Sequence, residues 1–204
     1  CITILKNGFQ PVYLDFDKNL KMILDEDILK KDISAIVVTH AFGYTNETYN
    51  VKKIKELTPK VKIIADCSHA HGAKFNNESI LNFADISFMS LQGAKAISAG
   101  EGGIIFTNSK DLLNTMIQLS HPSRQLIDKE NLYLNIPGFS KFGKSRIHPI
   151  GAILASNDLE NLNRKNTLLK LKLNLIYSLL KNNKYLYLPT IDVENTGGYH
   201  YGIP

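Results

Sequence analysis

The residues that could do chemistry are concentrated in one short segment, which reads DCSHAHGA from Asp66 to Ala73. It follows an apolar run that starts at Val61, so we predict that it begins where a buried strand ends. Open α/β sheets place their binding sites at such carboxyl ends. Asp66, His69 and His71 could bind a metal ion, or Asp66 could hold the cationic ring nitrogen of an organic cofactor. A polar strand end whose groups are satisfied by backbone is the third interpretation.

One lysine, Lys95, stands alone among small residues in the sequence FMSLQGAKAISAGEGG, residues 88–103. No other charged residue lies between Ser87 and Gly100. A desolvated lysine gives up its proton more readily, and a neutral amine can attack a carbonyl to form a Schiff base. A lysine with a buried stem and a solvated amine is the structural alternative. The glycines fit neither the dinucleotide nor the P-loop pattern, and they predict a tight turn close to the lysine.

The two segments together indicate pyridoxal phosphate chemistry. That cofactor needs a lysine to bind its aldehyde and a carboxylate to keep its pyridine nitrogen protonated, so that the ring can accept electrons. Lys95 and Asp66 meet these two requirements.

The same segments resemble the signature of the DegT/DnrJ-type sugar aminotransferases, which are fold type I pyridoxal-phosphate enzymes. Asp66 and His69 match the family's Asp-x-x-His pattern, and Ser90 and Lys95 match its serine and lysine five residues apart, before a Gly-Glu-Gly-Gly turn at residues 100–103. The resemblance implies that Asp66 contacts the pyridine nitrogen and His69 the region of the ring oxygen. It also implies that Ser90 contacts the phosphate, and that Lys95 is both the covalent attachment point and the catalytic acid/base.

The resemblance extends to three further residues. Lys144 takes the place of a family asparagine that reaches a neighbouring subunit's phosphate, and Arg146 becomes a substrate or structural residue. Gln92, three residues before the lysine, is found in a subset of the family that resembles its cyclitol-forming and aminobenzoate-forming members. Lys95 favours amino transfer, because family members that remove a hydroxyl carry His there. The family's phosphate-binding turn and ring-stacking aromatic precede the position of Cys1, so we expect a fragment that lacks both ends.

The function implied by the resemblance is transfer of an amino group from glutamate or glutamine to a keto-sugar, often nucleotide-linked, or to a related cyclitol. It implies pyridoxal 5'-phosphate as cofactor and a homodimer, because the family's pocket is completed across the subunit interface. Such enzymes serve nucleotide-sugar and polysaccharide biosynthesis. Two alternatives remain: a metal-dependent hydrolase using Asp66, His69 and His71, and a non-catalytic relative that binds pyridoxal phosphate. The residues do not identify the acceptor, the aminated carbon or the donor.

The elements that position these residues alternate between short β-branched runs and amphipathic stretches. This predicts an α/β sheet rather than an all-β or all-α domain. The resemblance implies that it is the fold type I large domain, a three-layer sandwich with a mostly parallel mixed sheet. We predict strands at residues 10–15, 34–40, 61–66, 85–91 and 103–107, the last two as antiparallel neighbours, helices at 26–31, 51–57 and 110–119, and a long irregular loop at 120–145. The apolar run at 34–40 predicts a strand buried on both faces.

The chain beyond this loop has a different pattern. From Pro149, a residue suited to the first position of a helix, apolar residues recur at helical spacing and predict one long helix bent near Asn157. A strand at 184–188 would open a second domain. We therefore assign residues 1–148 to part of the large cofactor-binding domain and 149–204 to a linking helix and the start of a truncated small C-terminal domain.

Composition excludes several classes of protein. The 204 residues are 44% hydrophobic, which is enough for a globular core and argues against disorder. The net charge of +5 comes from 24 basic and 19 acidic residues. These are interspersed, which argues against a nucleic-acid partner. Cys1 and Cys67 cannot build a disulfide framework, and neither a secretory signal nor an apolar run of about 18 residues is present. We expect a cytoplasmic protein with no membrane segment.

Four further histidines stand outside the two segments. His40 ends a predicted strand and could line the site, although it does not enter the set of site residues. We predict turn or capping positions for His121, His148 and His200.

Overall fold

The computed structural model describes residues 2–24, 27, 32–120 and 145–198. The helices in these ranges are α1 (Ile2–Lys6), α2 (Glu47–Leu57), α3 (Lys110–Ser120), α4 (Pro149–Glu160) and α5 (Leu162–Leu180). The strands are β1 (Ala35–Thr39), β2 (Lys62–Asp66), β3 (Lys74–Phe75), β4 (Glu78–Ser79), β5 (Ile86–Ser90) and β6 (Gly103–Phe106). Within these ranges no helix combines the length and apolarity needed to cross a membrane.

Four strands form one sheet in the order β1-β2-β5-β6, and β3 pairs with β4 separately. The first three strands of the sheet are parallel, with Asp66 opposite both Thr39 and Phe88. β6 runs antiparallel to β5 and places Gly103 opposite Ser90. The predicted α/β class with a mostly parallel mixed sheet is confirmed. Because parallel strands end at the same edge, the segments that follow β1, β2 and β5 lie side by side.

The main core lies between this sheet and α2. Val51 and Ile54 are three residues apart, so they share one face of α2, and both are buried. They belong to one apolar cluster with Val38, Ile63 and Ala65 of the sheet. Burying a side chain of this size stabilises a fold by roughly 1.5–3 kcal/mol. This cluster fixes the strands whose ends carry the candidate site.

Strand β1 has one open face. Ile36 and Val38 are buried, whereas Val37 between them is 44% exposed. Alternate side chains of a strand point to opposite faces, and the described residues cover only one of them. The prediction that residues 34–40 are buried on both faces is therefore wrong for the described part of the chain.

The strand predicted at residues 10–15 is also wrong. This segment joins no sheet, and its neighbour Phe16 makes an isolated bridge to Met22. The physical reason lies in the intervening turn. Oδ1 of Asp17 accepts hydrogen bonds from the backbone N–H groups of residues 19 and 21, at 2.8 and 3.0 Å. An aspartate that satisfies nearby amides in this way favours a local reversal over an extended strand.

Most other predicted elements of the first 120 residues are confirmed with small shifts of their ends. The strands at 61–66, 85–91 and 103–107 correspond to β2, β5 and β6, and the last two are antiparallel as expected. The helices at 51–57 and 110–119 correspond to α2 and α3. The helix predicted at 26–31 lies outside the described residues except for Asp27. The irregular loop predicted at 120–145 lies outside them except for its two end residues.

Two helices replace the single long helix predicted after Pro149. The first begins at Pro149 as expected, and Nδ1 of His148 caps it by accepting a hydrogen bond from the Ile150 amide at 3.3 Å. The capping role predicted for His148 is thus confirmed, whereas His121 and His200 lie outside the described residues. The break falls at Asn161, four residues beyond the predicted bend. Its side chain donates to the Asn157 carbonyl at 2.9 Å, a local bond that competes with helical pairing.

The strand predicted at 184–188 is wrong. The Asn183 amide donates to the Leu180 carbonyl at 2.8 Å, and Oδ1 of Asn183 accepts from the Tyr185 amide at 2.9 Å. The chain therefore turns at the end of α5 and continues without regular strand pairing. Alternating tyrosines and leucines produced a strand-like pattern in a segment that is mostly exposed.

Candidate active site

Asp66 ends β2 and presents one carboxylate oxygen to the site. Oδ1 accepts a hydrogen bond from the Ser68 amide at 3.0 Å, whereas Oδ2 has no hydrogen-bond partner in the described part of the chain. The backbone is fixed on both sides. The Asp66 carbonyl accepts from the His40 amide, and the Cys67 amide donates to the Phe88 carbonyl, both at 2.9 Å. The strand end thus holds a carboxylate with one oxygen that can accept a hydrogen bond from a cationic ligand.

His69 lies just beyond β2, against the turn that follows β1. Its Nδ1 accepts a hydrogen bond from the Phe42 amide at 3.4 Å, and the two rings are 6.2 Å apart. Burial and the positive charge of Lys95 lower the pKa of His69, and the negative charge of Asp66 only partly opposes them. His69 is therefore a neutral imidazole at neutral pH, within electrostatic reach of the predicted carboxylate and the predicted lysine.

Phe42 adopts a strained backbone conformation beside His69. Its φ is 55°, in the left-handed region that costs a residue with a Cβ roughly 1–2 kcal/mol. Strain of this kind persists where surrounding contacts fix it, often at functional sites. Phe42 was not among the residues predicted from the sequence. The signal available was the placement of AFG directly after a buried strand.

Lys95 lies in the loop between β5 and β6, which is closed at its base by backbone hydrogen bonds. The Leu91 amide donates to the Gly102 carbonyl at 2.9 Å, and the Ala99 amide donates to the Leu91 carbonyl at 2.8 Å. Lys95 is half-buried, and its charge lowers the pKa values of both His69 and His71. The loop therefore directs the lysine to the same sheet edge as Asp66.

Gln92 shapes the turn that carries the lysine. Its carbonyl accepts from the Lys95 amide at 2.8 Å, and its Oε1 accepts from the Ala94 amide at 3.0 Å. A Cβ added to Gly93 would lie 3.7 Å from the Gly100 carbonyl, and Gly100 itself has a φ of +79°. The backbone thus turns tightly next to the lysine, as the glycines predict.

Ser90 ends β5, and its carbonyl is held by a buried imidazole. Nε2 of His71 lies 2.9 Å from this oxygen, and because a carbonyl only accepts, Nε2 carries the proton. Burial, and then the charge of Lys95, lower the pKa of His71. The Ser90 hydroxyl accepts from the Gln92 amide at 3.3 Å and is partly exposed, so its own O–H can donate to a ligand.

His40 is a further neutral imidazole beside Asp66. It is 2% exposed, and its Nδ1 donates to the Tyr44 carbonyl at 3.2 Å. Burial lowers its pKa to about 4, against the smaller raising effects of that bond and of the Asp66 charge. The position of His40 after a buried strand was the signal for a residue near the site, although its buried ring makes it a support rather than a ligand contact.

The described residues do not form the metal centre considered for the DCSHAHGA segment. His71 Nε2 is bonded to the Ser90 carbonyl and His69 Nδ1 to the Phe42 amide, so neither of these two nitrogens is available to a metal ion. Across the described ranges no group of three His, Cys, Asp or Glu side chains is arranged to hold a metal ion. Burial raises the pKa of Cys67 to about 12, which keeps that thiol protonated.

Two further residues implied by the resemblance stay predictions. Lys144 lies outside the described residues, so its contact with a cofactor phosphate stays a prediction. Arg146 is described and exposed.

An α/β sheet with a carboxylate and a lysine at its carboxyl edge is the arrangement that pyridoxal-phosphate enzymes use. The chain belongs to the DegT/DnrJ/EryC1/StrS aminotransferase family, whose profile matches residues 2–203. The family resemblance is thus confirmed over nearly the whole chain.

Similar proteins extend this assignment. The chain is 26% identical over 124 residues to GDP-perosamine synthase of Vibrio cholerae, covering 58% of this chain and 33% of that protein. It is 29% identical over 126 residues to L-glutamine:2-deoxy-scyllo-inosose aminotransferase of Streptomyces kanamyceticus, covering 60% and 29%. The solved E. coli GDP-4-keto-6-deoxy-D-mannose-3-dehydratase with bound hydrated PLP gives a TM-score of 0.78 at 19% identity, over 97% of this chain and 53% of that one. The chain thus spans about a third of the length of these relatives and about half of that structure.

The donor set at the sheet edge fits pyridoxal phosphate. Oδ2 of Asp66 is an acceptor suited to a protonated ring nitrogen, and the Ser90 hydroxyl is a donor suited to a phosphate oxygen. Lys95 supplies the amine and His69 a neutral imidazole near it. Each group demanded by the cofactor has a counterpart of the right chemical type.

Proposed function

We propose that this chain is the cofactor-binding part of a pyridoxal-phosphate-dependent aminotransferase that acts on a keto-sugar or a related cyclitol. The observation that carries the proposal is the placement of Asp66 and Lys95 at one sheet edge, where both charges act on the pKa of His69. Membership of the aminotransferase family supports the same reaction class.

The residues divide the work of the reaction. Pyridoxal phosphate, when bound, supplies an electron-accepting ring that stabilises negative charge on the substrate carbon. Asp66 would hold a proton on the ring nitrogen through Oδ2, and Ser90 would hold the phosphate. Lys95 would bind the aldehyde in the resting enzyme. Once the donor's amino group has taken its place, the freed Lys95 amine would move a proton to and from the substrate carbon. His69, neutral at physiological pH, orients the ring oxygen as a hydrogen-bond partner.

The relatives support the substrate class. The Vibrio cholerae relative is named GDP-perosamine synthase, and the Streptomyces kanamyceticus relative is named for amino transfer from L-glutamine to 2-deoxy-scyllo-inosose. We propose a keto-sugar, often nucleotide-linked, or a cyclitol ketone as acceptor, with glutamine or glutamate as donor. The product would enter nucleotide-sugar or polysaccharide biosynthesis.

The proposal includes a homodimer in the cytoplasm, with residues 1–148 in the large domain and 149–204 leading into the small one. It rests on the family resemblance, in which a neighbouring subunit completes the pocket and Lys144 reaches that neighbour's phosphate. The exposed apolar side chains of Ile150 and Ile153 on α4 are compatible with a covered surface. Sedimentation of the full-length protein at the mass of two chains would support the dimer, and sedimentation at the mass of one would refute it.

Amino transfer can be tested directly with the full-length protein, pyridoxal phosphate and glutamine or glutamate labelled at the α-amino nitrogen. We expect labelled nitrogen from glutamine or glutamate in a keto-sugar or cyclitol product, and none from Lys95→Ala. Cofactor binding without transfer to any acceptor of either class would instead identify a non-catalytic relative. Tightly bound stoichiometric zinc with hydrolytic activity would overturn the assignment in favour of a hydrolase.

A further inference from the structure

Two charged residues, one on α4 and one on α5, form hydrogen bonds to the loop that carries Lys95. Oδ2 of Asp158 accepts a hydrogen bond from the Ser98 amide at 3.0 Å. The Lys165 ammonium donates to the Ala96 carbonyl at 2.9 Å and pairs with Oδ1 of Asp158. Ala96 directly follows the lysine in the chain, so both contacts lie within three residues of it. We call Asp158 and Lys165 the loop clamp.

The loop is also packed against the same helices. Ile97 and Ala99 are buried in one apolar cluster with Ala155 of α4 and Leu162 of α5. A Cβ added to Gly151 would lie only 2.7 Å from the Ala99 carbonyl, so α4 and the loop backbone are in direct contact. The half of the loop that follows Lys95 is therefore fixed, whereas Gln92, Gly93 and Ala94 before it are exposed.

The charges of the clamp match the polarity of the backbone they hold. The Asp158 carboxylate accepts a hydrogen bond from an amide N–H, and the Lys165 ammonium donates one to a carbonyl oxygen. Hydrogen bonds of this kind, in which one partner is charged, are stronger than those between neutral groups. Burial raises the pKa of Asp158, but the bonds from Lys165 and Ser98 lower it by more, so the net shift is downward. Asp158 is thus ionised near neutral pH and both contacts are present under working conditions.

We propose that the loop clamp positions Lys95 for reaction with the cofactor aldehyde, an inference that rests on the proposed function. Among the described residues, the charged groups of Asp158 and Lys165 hydrogen-bond only to loop backbone and to each other, so they are positioning residues. A lysine amine sits at the end of a flexible stem, and its reach depends on where the backbone is held. Displacement of a reacting group by about 1 Å can cost about a hundredfold in rate, so loss of the clamp slows covalent capture.

The first test measures the clamp without any cofactor. We expect the Ser98 amide of the full-length protein to exchange its hydrogen about tenfold faster in Asp158→Ala and Lys165→Met. The Ala99 amide, bonded to Leu91 at the base of the loop, is the internal reference and keeps its rate. Lys172→Met, at an exposed position of α5, is the matched control for Lys165→Met and leaves the exchange rates of both amides unchanged.

The second test measures what the clamp does for Lys95. We expect the rate of covalent capture of pyridoxal phosphate at Lys95, trapped by borohydride and mapped by mass spectrometry, to fall about tenfold in Lys165→Met. Lys165→Arg, which keeps the charge and the donors, restores it, and Lys172→Met captures at the parent rate. If Lys165→Met does not fold, Asp158→Asn provides the comparison, with a smaller fall expected.

The outcomes separate the two claims. Clamp variants that capture the cofactor at the parent rate overturn the inference and leave the proposed function standing. A parent protein that is folded but captures no cofactor at Lys95 overturns the proposed function, and the inference with it.

Discussion

The imidazole of His71 donates a hydrogen bond from Nε2 to the carbonyl oxygen of Ser90, at 2.9 Å. His71 lies five residues beyond the end of β2, and Ser90 ends β5, so this bond joins the two segments that carry the candidate site. The His71 side chain has no exposed surface, and the Asn166 side chain donates to its carbonyl at 2.9 Å. The segment with Asp66 and His69 is thereby fixed relative to the start of the Lys95 loop.

Replacing His71 by leucine should destabilise the protein, because it leaves the Ser90 carbonyl without its donor. An unsatisfied buried polar group costs about 1–3 kcal/mol in free energy of unfolding, measurable by urea denaturation. His71→Gln, which retains an amide donor of similar reach, should recover part of the loss. Equal unfolding free energies for His71→Leu and the parent would show that the bond contributes nothing.

Stability should fall as the pH decreases from about 6.5 to 4, because of His40. Its folded pKa is about 4, lowered by burial, whereas an unfolded histidine titrates near 6.5. The unfolded state therefore binds more protons in this window, and His40 contributes a slope of roughly 1.4 kcal/mol per pH unit. Urea unfolding of His40→Gln should show a shallower slope than the exposed-site control His148→Gln. Identical slopes for the two variants would contradict the assignment.

A methyl group at Gly151 should be far more harmful than one at Gly93. The added Cβ would lie 2.7 Å from the Ala99 carbonyl in the first case and 3.7 Å from the Gly100 carbonyl in the second. Overpacking against backbone costs typically about 1–3 kcal/mol, whereas ordinary van der Waals contact costs little. We expect Gly151→Ala to lower the urea midpoint and Gly93→Ala to leave it nearly unchanged. A larger fall of the urea midpoint in Gly93→Ala than in Gly151→Ala would mean that α4 is not in close contact with the loop backbone.

Cys67 should resist alkylation in the folded protein despite its position beside Asp66. The side chain is fully buried, and its pKa of about 12 reduces the thiolate fraction at pH 8 about a thousandfold relative to a free cysteine. Iodoacetamide labelling followed by peptide mapping should modify Cys67 only after denaturation. Rapid labelling of the native protein would indicate an accessible thiolate and a different packing at the end of β2.

Local patterns predicted the sheet and its edge well. The buried run before Asp66 and the small-residue segment around Lys95 both identify where strands end, because apolar strands stop where polar residues begin. The prediction failed where a single polar side chain redirects the backbone. Asp17 turns the chain after residues 10–15, and Asn183 turns it before residues 184–188. Apolar alternation alone does not register such bonds.

The supports of the site were harder to predict than its central residues. Asp66 and Lys95 are distinctive because of their neighbours in the sequence. The clamp residues Asp158 and Lys165 look like ordinary charges on a helix surface, and they act on a loop about 60 residues away in the chain. The bond between His71 and Ser90 depends likewise on the pairing of β2 with β5, which sequence spacing does not reveal.

The most direct test of the central claim is an absorbance spectrum of the full-length protein with pyridoxal phosphate, before and after borohydride reduction, together with a mass map of the reduced protein. The account predicts a visible band that reduction removes, with the cofactor covalently attached to Lys95. Lys95→Ala should show neither. A folded parent protein that forms no such band, or that carries the reduced cofactor on another lysine while Lys95→Ala behaves identically, would contradict the assignment of this site.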